Sequence, residues 1–423
     1  MAAASPCCAE TSSQIMKPIL ILTNANFLGH MVRCIEIASA LRTLGAPVIF
    51  AASGRYVDLL HRWQFSVLPL FTPDRDRTLA AITANNFDFY DLPLARQCVE
   101  AETACIRQVD PSVVVGDFRW TAKMSAEQCT VPYASVINVL WTPYGQRTSA
   151  GPGNASPKAG LVRRLRRRLA RTLHRQSRQR LQSPFALLRA ELGLLPFRGF
   201  AAEICGDLNL MPDLPQLYPP AAELPENFHF VGPLFGADGI LPAPAAVRLP
   251  DEPYLYCSLS SAATPGLIEL VIAAFGNSTQ PVVMSTGRQA LPASLPANIH
   301  CYDFLSDDVF RKAHAIVCYG GNGTIYRALA HGTPMIGIAT HREQIWQLAG
   351  VAARKVGLAF AERDVTVAEL RGAVDAILRD PEYRQNCARF QALIAASQAA
   401  ESAARLIVEF AQEDEQKPDA RTP

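Results

Sequence analysis

Four consecutive stretches decide the fold: the run Ile19-Leu20-Ile21-Leu22-Thr23, the polar turn from Asn24 to His30, the repeat Ile35, Ile37, Ala38, Leu41 and Leu44, and the run Pro47-Val-Ile-Phe-Ala-Ala52. A short unbroken apolar run marks a strand covered on both faces. The repeat has helical spacing and stops at Gly45, a residue suited to ending a helix. Strand, helix and strand in this order, with a crossover of this length, open a parallel α/β sheet.

Working outward, the strand pattern returns at Val113-Val114-Val115 and from Tyr133 to Leu140. A second series begins near Pro253, with strands predicted at Tyr254–Ser258, Pro281–Ser285, Ala315–Cys318 and Met335–Ile338. Helices are predicted between and after them at about 265–275, 324–331, 342–355, 367–378 and 382–396. The stretch from Pro212 to Pro250 is rich in Pro and Ala and suits a connection between the two series. The 423 residues, at roughly 150 per domain, agree with two or three domains. The expected organisation is a tail over 1–16, a Rossmann-like domain over 17–235, a linker over 236–252, a second Rossmann-like domain over 253–396, a helix over 397–415 able to pack back across the junction, and a tail over 416–423.

Composition excludes several classes. Forty Lys and Arg against 38 Asp and Glu leave a net charge of +2, so no global attraction to nucleic acid is expected. With 49% hydrophobic and 18% charged residues the chain is globular, not disordered. No apolar run reaches the length of about 18 residues that a membrane span needs. The 11 cysteines lack C-x-x-C or zinc spacing, which points to free thiols in a reducing cytosol and to no metal site. Met1 to Gln14 lacks the basic and apolar regions of a signal peptide and reads as a loose tail.

One charge cluster stands apart. Ten basic residues fall between Lys158 and Arg180 without an acidic one, while Leu161, Leu165, Leu169 and Leu173 repeat every four positions. This predicts a basic helical insertion over about 158–190. It reads either as a solvated cationic helix or as a surface attracted to anionic lipid or an anionic acceptor. No aromatic interleaving favours nucleic acid.

The segment richest in chemistry is Tyr319-Gly320-Gly321-Asn322-Gly323-Thr324, which follows a buried strand and precedes a helix. Its glycines allow a tight turn and close approach of a ligand, and the helix aims its unpaired N–H groups at the same place. It reads as a phosphate cradle, or as a bare strand-to-helix turn. It is not a P-loop, because no Lys-Ser/Thr pair follows the last glycine. In the first half, His30 follows the first strand and Asp117 ends the run Val113–Gly116, so both project from strand carboxyl ends. An imidazole titrates near neutrality, as a general base must, and a carboxylate on its far nitrogen would orient it. His30 alone would also fit an idle histidine at a helix start. Asp307 and Asp308 read as helix-start acids.

The run from Tyr319 to Gln344, with Ala328-Leu-Ala-His-Gly332-Thr-Pro334 and then Glu343-Gln344, resembles the donor-binding signature of the UDP-glycosyltransferase superfamily (glycosyltransferase family 1). Gly29-His30, Asp117-Phe-Arg-Trp120, Leu255–Ser261, Phe304-Leu305-Ser306 and Phe230-Val-Gly-Pro-Leu234 follow in the family's order. The resemblance covers roughly Lys17 to Phe410. It implies a GT-B fold, two Rossmann-like domains facing across a cleft. It also implies a metal-independent inverting transfer of sugar from a UDP- or dTDP-sugar to a hydroxyl of a small-molecule or lipid acceptor, with no further cofactor. On it, His30 is the base oriented by Asp117, and Ser261, Phe304, Leu305, Tyr319, Gly320, Gly321, Asn322, Gly323, Thr324, Glu343 and Gln344 contact the donor. Tyr319 stands where the family has a histidine, Arg33 where G-H-x-x-P has proline, and Gln347 where an Asn often follows. A hydrolysing nucleotide-sugar epimerase, which would need further carboxylates in the cleft, and a non-catalytic binding protein share the fold and remain alternatives.

Overall fold

A computed structural model describes residues 16–84, 89–146, 183–236, 240, 247–259, 265–287 and 289–415. Seven strands form the first sheet: β1 (Ile19–Leu22), β2 (Val48–Ala51), β3 (Ser66–Leu68), β4 (Val113–Asp117), β5 (Tyr133–Val136), β6 (Leu208–Met211) and β7 (Phe228–Phe230). Six form the second: β8 (Tyr254–Ser258), β9 (Val282–Ser285), β10 (Ile299–Tyr302), β11 (Ala313–Cys318), β12 (Met335–Ala339) and β13 (Gly357–Ala361). Their orders are β3-β2-β1-β4-β5-β6-β7 and β10-β9-β8-β11-β12-β13, and every pairing within the two sheets is parallel.

The strand order reverses between β1 and β4 in the first sheet and between β8 and β11 in the second. Loops leaving the carboxyl ends of two such strands diverge to opposite faces and open a crevice, where ligands of open α/β sheets bind. Asp117 ends β4 one residue beyond the Leu22–Gly116 register pair, and the segment bearing His30 leaves β1. In the second sheet the glycine segment leaves β11 beside β8.

The helices that position the site are α1 (Leu28–Thr43), α2 (Leu92–Val109), α3 (Ala122–Gln128), α4 (Pro265–Phe275), α5 (Asn322–Ala330), α6 (Arg342–Ala353), α7 (Val367–Arg379), α8 (Pro381–Ala395) and α9 (Ala399–Glu415). Gly45, just past α1, takes φ +79°, the left-handed turn its place in the sequence predicts. Helix α2 was not expected. Asp91 caps it by accepting from the Leu94 amide at 3.0 Å, and Ala95, Cys98, Val99, Glu102 and Ile106 lie on its buried face. Glu102 interrupts that apolar stripe and hides the period. It is buried because Arg119, Thr121 (2.9 Å) and Ser125 (2.5 Å) all donate to it.

The sequence reading also omits strands β3, β6, β7, β10 and β13, and β7 lies inside the Pro- and Ala-rich stretch expected to be a connection. Residues up to Phe230 therefore complete the first sheet. The basic stretch Lys158–Arg180 lies outside the described residues; the chain beyond it is helical over 183–191.

Among the described residues, apolar packing joins the halves in at least two places. Helix α9 returns from the second half and packs Ala403, Ala404 and Ile407 into the same core as Ile35 and Ala38 of α1. Val139, Leu140, Leu214, Leu217 and Tyr218 of the first half share one apolar cluster with Tyr326, Leu348 and Val351 of the second. Ile407 is fully buried, so Ile407→Ala is expected to lose about 2–5 kcal/mol of stability. Urea denaturation followed by circular dichroism measures this.

Candidate active site

Asp117 is fully buried, and a carboxylate removed from water needs compensating donors. It has them. Arg33 donates from Nε to Oδ2 at 3.1 Å and from Nη2 to Oδ1 at 2.7 Å, a bidentate pair. Nδ1 of His30 lies 3.0 Å from Oδ1. Burial pushes the Asp117 carboxyl up, but Arg33 and then His30 more than offset this and hold it below the usual value. An ionised carboxylate only accepts, so this bond favours the His30 tautomer with the proton on Nδ1 and the lone pair on Nε2, against the donor-only guanidinium of Arg33 at the same nitrogen. The Arg33 Nη2 group also lies 2.9 Å from Nδ1, so the imidazole shares its carboxylate with a permanent cation.

The His30 side chain is 25% exposed. Its ring stacks on Phe118 with an interplanar angle of 2° and meets the edge of Phe27. Phe118 holds φ at +47°, a left-handed conformation that is strained for a bulky side chain and turns the backbone immediately after Asp117. Phe118 continues to Trp141 at 4.9 Å between ring centroids, and Trp141 to Trp346 of the second half at 5.4 Å. An aromatic wall thus runs from the histidine to the other lobe.

On that other lobe the glycines divide their work. Gly320 has φ +76°, and a Cβ there would lie 2.5 Å from Cγ of Leu348, so the chain itself demands glycine. Gly321 and Gly323 would meet nothing within 4 Å. Glycine at these two positions leaves room for something outside the protein to approach the backbone. Gly321 precedes α5 as its cap, with no side chain to satisfy the first N–H groups of Asn322, Gly323 and Thr324.

The remaining expected contacts are distributed unevenly. Tyr319 is 4% exposed and belongs to the core cluster with Val317 and Ile338. The Asn322 side chain is turned across the lobes, donating to Asp213 at 3.1 Å. Gln344 accepts from the amide and hydroxyl of Thr340 at 2.8 and 3.0 Å, which occupies its carbonyl and leaves its NH₂ as the donor. Glu343, in the first turn of α6, accepts from Gln347 at 3.0 Å. Phe304 is 44% exposed, whereas Leu305 packs on the second-lobe core. Ser261 lies outside the described residues.

Residues 269–410 match the family described as erythromycin biosynthesis protein CIII-like, C-terminal domain. The PGL/p-HBAD biosynthesis rhamnosyltransferase of Mycobacterium bovis is 29% identical over 379 residues, covering 88% of this chain and 83% of that protein. These matches support a place in the UDP-glycosyltransferase superfamily, and the chain is a glycosyltransferase. Among solved structures, the glycotransferase of kitacinnamycin is similar at TM-score 0.69 and 18% identity, covering 93% of this chain and 99% of that one. Glycosyltransferase VinC in complex with dTDP is similar at TM-score 0.64 and 18% identity, covering 94% and 100%. These structures show the fold, which is GT-B.

Three polar residues of the first lobe escaped the sequence reading. Arg33 was noted only as a missing proline. Asn138 accepts from Arg33 Nη1 at 3.1 Å and donates to Asp213 at 3.1 Å. Asp213 follows β6; had Leu208–Met211 been read as a strand, Asp213 would have stood near a strand end much as Asp117 does. The hydrogen bonds His30–Asp117–Arg33–Asn138–Asp213–Asn322 form one unbroken chain from the imidazole to the glycine segment.

Removing one partner of a buried ion pair strands the other. Arg33→Met should therefore destabilise the fold by about 3–5 kcal/mol in urea denaturation. The Asp117 carboxyl is lowered on folding, so its contribution is complete at neutral pH and is lost as the pH falls through its folded-state value. A urea-midpoint series run from neutral to acid pH should show this loss, and Asp117→Asn should lack it.

Proposed function

We propose that this glycosyltransferase catalyses a single inverting displacement at the anomeric carbon of a nucleotide-diphosphate sugar, with His30 as general base. The observation that carries the reading is the His30–Asp117 pair at the strand-order reversal of one lobe, joined by hydrogen bonds to the glycine segment at the reversal of the other. Nε2 takes the acceptor hydroxyl proton while Nδ1–H remains bonded to Asp117. The acceptor oxygen attacks the anomeric carbon, the bond from that carbon to the phosphate oxygen breaks, and the nucleoside diphosphate departs. Charge developing on the diphosphate meets the N–H groups at the start of α5, with Gly321 and Gly323 allowing the approach. Glu343 and the Gln344 NH₂ are proposed to bond donor-sugar hydroxyls, and Phe304 to lie against the base. No divalent ion enters this scheme.

The donor is proposed to be a dTDP- or UDP-sugar. A fold neighbour holds dTDP, and a relative over most of the chain is a rhamnosyltransferase, which puts a 6-deoxyhexose first among the sugars to test. The aromatic wall of Phe118, Trp141 and Trp346 favours an acceptor with a flat or apolar body beside its hydroxyl. No helix among the described residues is long and apolar enough to cross a membrane. The nine cysteines described are free, in keeping with a reducing compartment. The Lys158–Arg180 cluster is proposed to hold the enzyme at an anionic lipid surface, where each basic side chain contributes on the order of 1 kcal/mol.

Three measurements check this. dTDP or UDP should raise the melting temperature, by an amount that grows with ligand concentration. His30→Ala should reduce nucleotide release from a panel of UDP- and dTDP-sugars with phenolic or lipid acceptors by about 10²–10⁴-fold; wild-type turnover would refute the base. Liposome flotation should depend on acidic lipid and weaken with salt, and absence of binding at low salt would remove the membrane contact.

A further inference from the structure

Asp213 lies just past β6 and is 1% exposed. Its Oδ1 accepts from Asn138 Nδ2 at 3.1 Å, Asn322 Nδ2 at 3.1 Å and the Tyr326 hydroxyl at 3.3 Å; its Oδ2 accepts from the Val139 amide at 2.7 Å. Two of these donors belong to the first lobe's β5-end segment and two to α5 of the second lobe. Asn322 and Tyr326 are four residues apart, so they share one face of α5, one turn apart. The Tyr326 hydroxyl also accepts from the Leu214 amide at 2.8 Å. Asp213 and its neighbour thus grip the first turn of the helix whose N-terminus is the anion site.

We propose that Asp213 is a positioning residue that sets the distance and tilt of the glycine segment relative to His30, acting through Asn322 and Tyr326 on one side and Asn138, Arg33 and Asp117 on the other. The inference rests on the sugar-transfer reading only for its catalytic consequence; the clamp itself is a matter of geometry.

Adhesion between the lobes does not account for this residue. Leu214, Leu217, Tyr218, Tyr326 and Leu348 already form a continuous apolar cluster there, which association of two surfaces prefers to a buried charge. Among the described residues no cation touches Asp213, and its four bonds there are all to neutral donors. Burial accordingly holds its carboxyl above the ordinary value despite those bonds. The folded state therefore binds this proton more tightly than the unfolded chain does, and ionisation of Asp213 as the pH rises opposes folding. A buried carboxylate that gathers donors from both lobes where apolar packing already joins them fits a role in function. The direction of the chain is also informative: the Asn322 amide could face a bound diphosphate, but it turns to Asp213 and leaves the backbone N–H groups to the ligand.

The carboxylate is needed because all four partners are donors. In Asp213→Asn, one oxygen becomes an NH₂ that must face either Val139 N–H or the three donors at Oδ1. The variant is expected to lower kcat by about 10–100-fold, the effect of misplacing reacting groups by about 1 Å. The affinity for dTDP or UDP, read by thermal shift or calorimetry, is expected to stay near wild type, because the proposed nucleotide contacts lie within one lobe. Asn322→Ala, which removes a single bond of the clamp, is expected to show the same pattern more weakly, and the double variant to fall short of the combined losses.

A readout independent of turnover comes from Trp141 and Trp346, which meet across the lobes at 5.4 Å and 72°. Their coupled circular-dichroism signal, identified by its loss in Trp141→Phe, should weaken in Asp213→Asn and Asn322→Ala. If both variants keep wild-type kcat and an unchanged tryptophan signal, or lose only thermal stability, the positioning role is overturned. If the wild type transfers no sugar, the sugar-transfer reading fails, and the tryptophan signal alone decides whether Asp213 sets lobe geometry.

Discussion

A carboxylate sealed from water has to be neutralised where it stands, and Asp117 is neutralised by Arg33. Much of the site's character follows from that pair. Without the guanidinium, the carboxylate at the end of β4 would carry its full charge against His30 alone. With it, the charge is divided: one oxygen is shared by imidazole and guanidinium, and the other faces Arg33 Nε. His30 is held in orientation by both partners, in an environment less negative than a solitary carboxylate would create. A proline in place of Arg33, as in the G-H-x-x-P pattern this segment resembles, would bring no cation. Arginine here changes the electrostatics around the imidazole, not merely the start of a helix.

Arg33 also reaches outward. Its third nitrogen engages Asn138, and from there polar contacts pass through Asp213 to the helix behind the glycine segment. The two lobes are thus joined by apolar packing, which is strong but tolerant of sliding, and by directional hydrogen bonds, which are weaker but specify position. A reaction between groups carried on different lobes needs the second kind of restraint. The aromatic wall adds a surface over which both lobes can address one acceptor.

The glycine segment illustrates how one residue type serves two constraints. Gly320 is required by its own protein, through positive φ and the proximity of Leu348. Gly321 and Gly323 are surrounded by open space, so their small size matters to what arrives from outside. In the bare string Gly-Gly-Asn-Gly these roles are indistinguishable.

The chain's own pattern determined the two parallel α/β halves, because strands buried on both faces leave continuous apolar runs such as Ile19–Leu22 and Ala315–Cys318, and helices between them leave a helical repeat. It also determined His30, Asp117 and the glycine segment as candidates, since each lies next to such a run. Elements with broken or very short patterns escaped: α2, whose buried face includes Glu102, and the strands β3, β6, β7, β10 and β13, each of three to five residues. Tertiary structure alone decided the partners of the buried charges. Arg33 meets a carboxylate 84 positions away, and Asp213 meets Asn322 across 109. Pairings of that kind depend on strand order and on the docking of one lobe against the other, and neither leaves a periodic trace in the residues that take part.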